Sequence, residues 1–228
     1  MSEKQAQMEA VYTHMWASHE GGPFAPLDES LHPRPHSILY EVAATCGVSA
    51  SSLVLDVGSG RGNHSCALAQ RFDFLWSRDM LMHVPALPQA LAECARVLKP
   101  AGSMLVYTTV ATERMEPKEA AWLYASFGLV PESMDESAVE AAFRAAGFQM
   151  HSKEPLGSEP MEWVEEHEGR ASRELMRLAR MLRKREYYQE LLGASRYEVA
   201  LANYHWALYI LLGKLSPTLY ILHKNPSS

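Results

Sequence analysis

The sequence predicts an α/β fold built on a doubly wound, mostly parallel sheet. A short apolar run, LVLDV, is followed at once by a glycine-rich loop that opens into a helix, as expected of a strand buried on both faces. Downstream, strand-like runs alternate with helical patterns, which places helices on both sides of the sheet. With 47% hydrophobic and 21% charged residues, the composition is that of an ordinary globular protein.

The first 34 residues predict an N-terminal helix followed by a lid loop. Apolar residues recur at helical spacing between residues 3 and 17, and the proline- and glycine-rich run GGPFAPLDESLHPRPHS that follows is typical of a connection. Tyr12 and Trp16 share a face of this helix. As part of a lid they would offer aromatic faces to a cationic ligand, simple core packing being the alternative.

The elements after the glycine loop follow in a regular order. PALPQALAECARVLKP predicts a helix that ends at Pro100, and SMLVYTTV predicts the next strand. Further helices are predicted over residues 117–127 and 136–146, then a strand in FQMHSKEPLGS, and a long helical region over 165–192. A last helix ends near Gly213, and SPTLYILHK supplies a final strand, the natural place for an antiparallel addition to the sheet.

Within the long helical region, four basic residues recur every three or four positions, namely Arg173, Arg177, Arg180 and Lys184. Such a stripe predicts a solvated helix face, with contact to an anionic partner as the alternative.

Composition narrows the class of partner and the compartment. The net charge of -6 argues against a nucleic-acid binder, because phosphate neutralisation requires a surplus of Lys and Arg. The three cysteines show no CxxC spacing, which favours a reduced, cytoplasmic protein without a zinc site. The start of the chain lacks the pattern of a signal peptide. The longest apolar run, VALANYHWALYILLG, is interrupted by polar residues and shorter than the ~20 residues of a membrane span.

The chemical centre of the sequence is LVLDVGSGRGNHS. Gly58, Gly60 and Gly62 follow the carboxyl end of a predicted strand, where open α/β sheets bind ligands and a missing Cβ lets a ligand approach the backbone. The spacing G-x-G-x-G differs from the dinucleotide pattern G-x-G-x-x-G, whose third glycine would fall at Asn63. The lysine of a nucleotide triphosphate loop is also missing. A tight turn without a ligand is the structural alternative.

This loop resembles motif I of the class I S-adenosylmethionine (SAM)-dependent methyltransferases. WSRDMLMHVPALPQALAECARVLKPAGSMLVYTT is similar to the fourth strand of that family, its following helix and the RVLKPGG turn into its fifth strand. Together the two blocks cover roughly residues 53–110. Ala101 replaces one glycine of the turn, a mild departure because only Gly102 is needed there.

The resemblance implies a Rossmann-like core over residues 35–160 and a helical substrate-side region with the final strand over 161–228. It implies that the methionine and ribose side of SAM is lined by Asp56, Gly58, Ser59, Gly60 and Gly62. It implies that the opposite wall, near the methionine or the acceptor, is formed by Ser77, Arg78, Asp79 and Met80.

One junction departs from the family. In the family, the second strand ends in an acidic residue that binds the ribose, and a third strand brings the loop that holds the adenine. Between the motif I helix and DFLWSRD this sequence has no residues for either strand, which would need about 50 residues with their helices. The sheet is therefore predicted to lack them.

Three explanations of the junction stay open: a segment omitted from the chain, a true deletion, or compensation by a second copy in a homodimer. In a competing interpretation FDFLW is the second strand, so that Asp79 becomes the ribose-binding acid at the expected distance from the glycine loop.

We expect SAM-dependent methyl transfer to a small-molecule acceptor. His83, four residues after Asp79, is the candidate general base because its pKa is ordinarily near neutral, a buried packing histidine being the alternative. Two other functions stay open: a catalytically impaired binding or scaffold protein, and, under the competing interpretation, a nicotinamide-dependent oxidoreductase.

Overall fold

A computed structural model describes residues 42, 45–47, 52–57 and 72–225, with only the backbone of residues 55 and 56. Five strands within these residues form one sheet in the order β1-β2-β3-β5-β4. Their bounds are β1 Val54–Val57, β2 Phe72–Arg78, β3 Leu98–Ala111, β4 Phe148–Pro155 and β5 Leu215–Lys224.

The sheet is mostly parallel, as predicted. β1 pairs with β2, and β2 with β3, in parallel. β5 runs antiparallel to both of its neighbours, β3 and β4. The final strand is thus the reversed one, which confirms the expected antiparallel addition.

Seven α-helices lie among the described residues: α1 Leu87–Val97, α2 Pro117–Phe127, α3 Glu136–Ala145, α4 Glu159–Glu168, α5 Arg170–Arg183, α6 Arg185–Leu192 and α7 Ala194–Leu211. Two short 3-10 helices, Leu81–His83 and Pro131–Met134, join the layers. Local sequence explains several helix ends. Asp135 caps α3 by accepting a hydrogen bond from the amide of Ala138 at 2.8 Å, and Gly128 ends α2 with a left-handed φ of 63°.

The long helical region predicted over residues 165–192 is divided in the structure. Gly169 adopts a φ of 58° and its amide bonds the carbonyl of Glu165 at 2.9 Å, so α4 ends there. A second break follows at Lys184, between α5 and α6. Of the three pieces, α5 is the one with buried side chains, among them Ala171, Leu178 and Met181.

The two faces of the sheet are packed differently. On one face α1 and α3 bury Leu91 and Phe143 against Met104 and Tyr220 of the sheet. The other face carries a smaller cluster of Phe74, Leu105 and Leu219 with Val42 and Cys46 against it. A helical layer made by α2 and α5–α7 has its own apolar clusters beyond the carboxyl end of the strands.

Only fourteen residues, 58–71, separate β1 from β2. Two strands with two helices cannot fit in that length. Among the described strands β1 has one neighbour and lies at the edge of the sheet, where Val54, its first residue, and the preceding Leu53 are 46% and 44% exposed. Within the described residues the sheet therefore has the form predicted, without the second and third strands of the family pattern.

None of the described helices is long and apolar enough to cross a membrane. The three-part division at residues 34 and 160 stays a prediction.

Candidate active site

The carboxyl ends of β1, β2 and β3 meet at one edge of the sheet. Val57, the last residue of β1, is paired with Ser77, and Arg78 at the end of β2 is paired with Tyr107 of β3. Parallel α/β sheets bind ligands at this edge, just beyond the strand ends. The residues predicted as the acceptor wall, 77–80, occupy its centre.

Asp79 is the best-defined candidate residue of this edge. It is the one non-glycine residue with a positive φ, 48°, in the part of the chain that the structure describes. Its amide donates to the carbonyl of Tyr107 at 2.8 Å, which fixes the turn, and the Thr109 hydroxyl donates to its carboxylate at 3.4 Å. A non-glycine residue in this region of φ is uncommon, and such residues gather at ligand sites.

The carboxylate of Asp79 lies in an open recess. Its side chain is 41% exposed, yet desolvation by the surrounding protein raises its pKa to about 6. The positive charge of Arg78, whose Nε is 4.0 Å from the carboxylate, and the Thr109 hydrogen bond both oppose this rise. The group is thus mostly ionised at neutral pH but incompletely neutralised, which suits binding of a cation.

Arg78 and Tyr107 form the side of the recess. The Arg78 guanidinium carbon lies 6.0 Å from the centre of the Tyr107 ring, at the limit of a cation–π contact. Burial raises the pKa of the Tyr107 phenol and the charge of Asp79 raises it further, so the phenol stays neutral. The recess therefore combines one carboxylate with a neutral aromatic ring.

The other two wall residues are placed differently. Ser77 is fully buried, and its hydroxyl has no hydrogen-bond partner among the described residues. Met80 precedes the 3-10 helix Leu81–His83, and its carbonyl accepts from the amide of His83 at 3.0 Å. Asp79 therefore supplies the carboxylate of this wall.

His83 lies at the end of the same 3-10 helix. Burial lowers its pKa, and a hydrogen bond with the backbone of Gly128 offsets part of the fall. The ring is therefore neutral at physiological pH, the state that accepts a proton. Its assignment as general base stays a prediction.

The glycine loop, with Gly58, Ser59, Gly60 and Gly62, lies outside the described residues, as do Tyr12 and Trp16 of the predicted lid. Asp56 is described by its backbone alone, in β1 opposite Trp76. The predicted cofactor contacts of these residues stay predictions.

An apolar layer begins directly beyond the site. Met82, next to His83, packs into a cluster with Leu123 and Phe127 of α2 and Ile210 of α7. Trp122 of this layer donates its indole hydrogen to Glu198 at 3.0 Å. Several aromatic and methionine residues noted as pocket or core candidates lie partly buried against these clusters: Met115, Trp122, Tyr124, Tyr188 and Trp206. Trp163 and Tyr187 are instead exposed.

Sequence reasoning missed Thr109 and Tyr107. Both lie on β3, in a run that reads as strand core, and their distance from Asp79 along the chain hides the contact. The pairing of Arg78 with Tyr107 brings them to the carboxylate. The carboxyl ends of parallel strands converge at one edge of a sheet, and this rule is the signal that could have indicated the contact from the sequence.

The position of Asp79 bears on the competing interpretation of β2. Both interpretations place β2 beside β1. The Asp79 carboxylate, however, turns to Thr109 on β3, the side away from β1 and the glycine loop that follows it. A ribose-binding acid would have to serve a ligand at that loop, so the geometry favours β2 as the fourth strand of the family pattern.

A comparison with known protein families matches the part of the chain that contains this site. The sequence model of a family described as "Methyltransferase domain" matches residues 67–106. The match spans β2, α1 and the first part of β3, including Asp79 and His83. A comparison with curated proteins found no significant match.

Solved structures share the fold of this chain. A candidate sarcosine dimethylglycine methyltransferase from Galdieria sulphuraria is 15% identical, with a TM-score of 0.60 over 99% of both chains. A cyclopropane synthase from Mycobacterium tuberculosis is 12% identical, with a TM-score of 0.60 over 98% of this chain and 95% of that one. A phosphoethanolamine N-methyltransferase from Haemonchus contortus is 14% identical, with a TM-score of 0.57 over 98% of this chain and 59% of that one.

At these identities the likeness establishes the fold, which is that of the class I SAM-dependent methyltransferases. The resemblance seen in the sequence is thus confirmed. The enzyme class and the SAM cofactor that it implied are supported by the match to the methyltransferase domain.

Proposed function

We propose that the protein transfers a methyl group from SAM to the nitrogen of a small-molecule amine. The observation that carries the acceptor class is the Asp79 carboxylate, held at the open edge of the sheet by Thr109 and incompletely neutralised by Arg78. Two of the structural relatives bear names of amine methyltransferases. The cyclopropane synthase shows that this fold also serves other acceptors, so the acceptor is argued from Asp79.

The residues of the described edge fit the methionine and acceptor side of SAM. The recess at Asp79 is open, and Val57 at the end of β1 is paired with Ser77 of β2. Asp56 and the loop residues Gly58, Gly60 and Gly62 would hold the cofactor. When bound, SAM supplies an electrophilic methyl group on a sulfonium.

Few side chains need act chemically, because the reaction is an in-line displacement that depends on positioning. Asp79 accepts hydrogen bonds from the amine and fixes the direction of its lone pair. The neutral ring of His83 takes the proton that the acceptor loses. The apolar layer beginning at Met82 keeps water from the acceptor.

Asp79→Asn tests the proposal. The change keeps the size of the side chain and removes its charge, so we expect the KM for an amine acceptor to rise at least tenfold with SAM affinity unchanged. Asp73→Asn is the matched control, since Asp73 lies at the opposite end of β2 with a similar exposed fraction, 39% against 41%. S-adenosylhomocysteine formation over a panel of amines, alcohols and carboxylates is the readout. Equal loss in both variants, or turnover of uncharged acceptors alone, would remove the amine assignment.

A second candidate rests on the fourteen residues between β1 and β2. They leave no room for the strands that hold the adenosine half of SAM in the family, which favours a binding or scaffold protein that retains the fold. Calorimetry with SAM on a chain of verified intact mass separates the two candidates. Binding supports the enzyme, and absence of binding supports the scaffold.

A further inference from the structure

The segment formed by α5 and α6 carries an unusual concentration of positive charge. Over residues 170–192 there are six arginines and one lysine against three glutamates, Glu174, Glu186 and Glu190, in a chain whose net charge is -6. The rest of the chain is therefore strongly acidic. Charge this segregated creates a local field that differs in sign from that of the whole molecule.

Some of these cations are already paired. Glu174 is buried and its carboxylate lies 2.8 Å from Nε of Arg170, and Arg185 lies 4.0 Å from Glu198. Arg180, Arg183 and Lys184 are exposed and form no ion pair with any described residue. The end of α5 thus presents three cations to solvent.

The same helix exposes large apolar side chains. Leu175, Met176 and Leu182 are 50%, 49% and 52% exposed. Leu175 and Leu182 are seven residues apart and so lie along one line of the helix, and Met176 is one step round it. The inward face of α5 packs through the buried residues Ala171, Leu178 and Met181, so the outer apolar residues are not needed for the core.

α6 continues the pattern. Tyr187 and Leu191, four residues apart on one face of the helix, are 58% and 59% exposed. Large exposed apolar side chains beside unpaired cations are typical of helices that lie in the headgroup region of a membrane. A nucleic acid would use the cations and leave Leu and Met without a partner.

We propose that α5 and α6 form a docking surface for an anionic lipid membrane, on which the protein binds peripherally. Arg180, Arg183 and Lys184 contact the lipid phosphates and carboxylates, and Leu175, Met176 and Leu182 enter the boundary of the acyl chains. The sequence pattern alone favoured a solvated face for the arginine stripe. Charge complementarity together with the exposed apolar band identifies the partner.

Vesicle co-sedimentation of the full chain, without SAM, tests the surface independently of the proposed methyl transfer. We expect binding to vesicles that contain phosphatidylserine, weak binding to pure phosphatidylcholine, and release by salt. Arg180→Glu with Arg183→Glu should weaken the partition at least about 25-fold, since each cation near such a surface contributes about fivefold. Leu175→Gln with Leu182→Gln should weaken it as well.

Matched controls lie elsewhere on the surface. Lys118→Glu reverses an exposed charge on α2, and Leu212→Gln replaces a side chain that is 60% exposed after α7. Both should bind as the wild type does, and circular dichroism verifies that every variant is folded. Equal binding by all variants, no binding to anionic vesicles, or capture of polyglutamate without capture of vesicles would overturn the proposal.

Discussion

Asp79 is expected to destabilise the protein at neutral pH, so its replacement should stabilise the fold. The desolvated carboxylate has its pKa raised to about 6, above the ordinary value near 4, so the folded state holds the proton more tightly than the unfolded state. Stability is then fully present below the unfolded pKa and falls as the pH rises from about 4 to 6. Asp79→Asn removes the charge that causes the loss.

The magnitude follows from the shift. About two pKa units correspond to about 3 kcal/mol at most, and since the side chain is 41% exposed, solvent screening reduces this to about 1–1.5 kcal/mol. Asn, like Asp, tolerates the positive φ, so the substitution adds no backbone strain. Urea unfolding at pH 8 should therefore show Asp79→Asn more stable than the wild type by this amount, with the difference vanishing below pH 4.

Asp73→Asn, on the same strand, is expected to change the stability in the opposite direction. Hydrogen bonds from Lys99, at 2.7 Å, and from the amide of Leu53 lower the pKa of Asp73, so its ionised form favours the folded state. Its replacement should lower stability at pH 8, and the loss should shrink as the pH falls below the unfolded pKa and through the lower folded pKa. Equal or lower stability of Asp79→Asn at pH 8 would refute the reasoning.

Two further predictions concern the turn into β3 and the candidate base. A Cβ at Gly102 would lie 2.9 Å from the carbonyl oxygen of Asp73 and 2.7 Å from the buried Leu98 side chain, so Gly102→Ala should cost about 1–3 kcal/mol in urea unfolding. Ala101→Gly, which restores the family pattern, should cost no more than about 1 kcal/mol, and similar losses would contradict the steric argument. If His83 is the base, kcat/KM should rise with pH through a midpoint below 6.5. His83→Gln should remove this rise from the pH profile. An unchanged profile in the variant would exclude His83 as the base.

Much of the fold was predictable because local chemistry and tertiary packing agree. LVLDV and the final SPTLYILHK strand occur where the sequence places them, as β1 and β5, and the helix predicted to end at Pro100 occurs as α1, which ends three residues earlier, at Val97. The division of the 165–192 region was not predicted, since α4, α5 and α6 share one apolar periodicity. Gly169 was the residue that could have indicated the first break, because α4 ends at its left-handed φ.

The sequence by itself determined the class of fold, the choice of Asp79 as a candidate site residue, and the lack of room for two strands between β1 and β2. Those properties depend on residue order and chain length. The tertiary structure alone decided that Asp79 is held by Thr109 beside Tyr107, and that α5 turns a basic and apolar face outward. Both depend on distances between residues far apart in the chain, and such distances are fixed by the pairing of strands and the packing of helices rather than by local pattern.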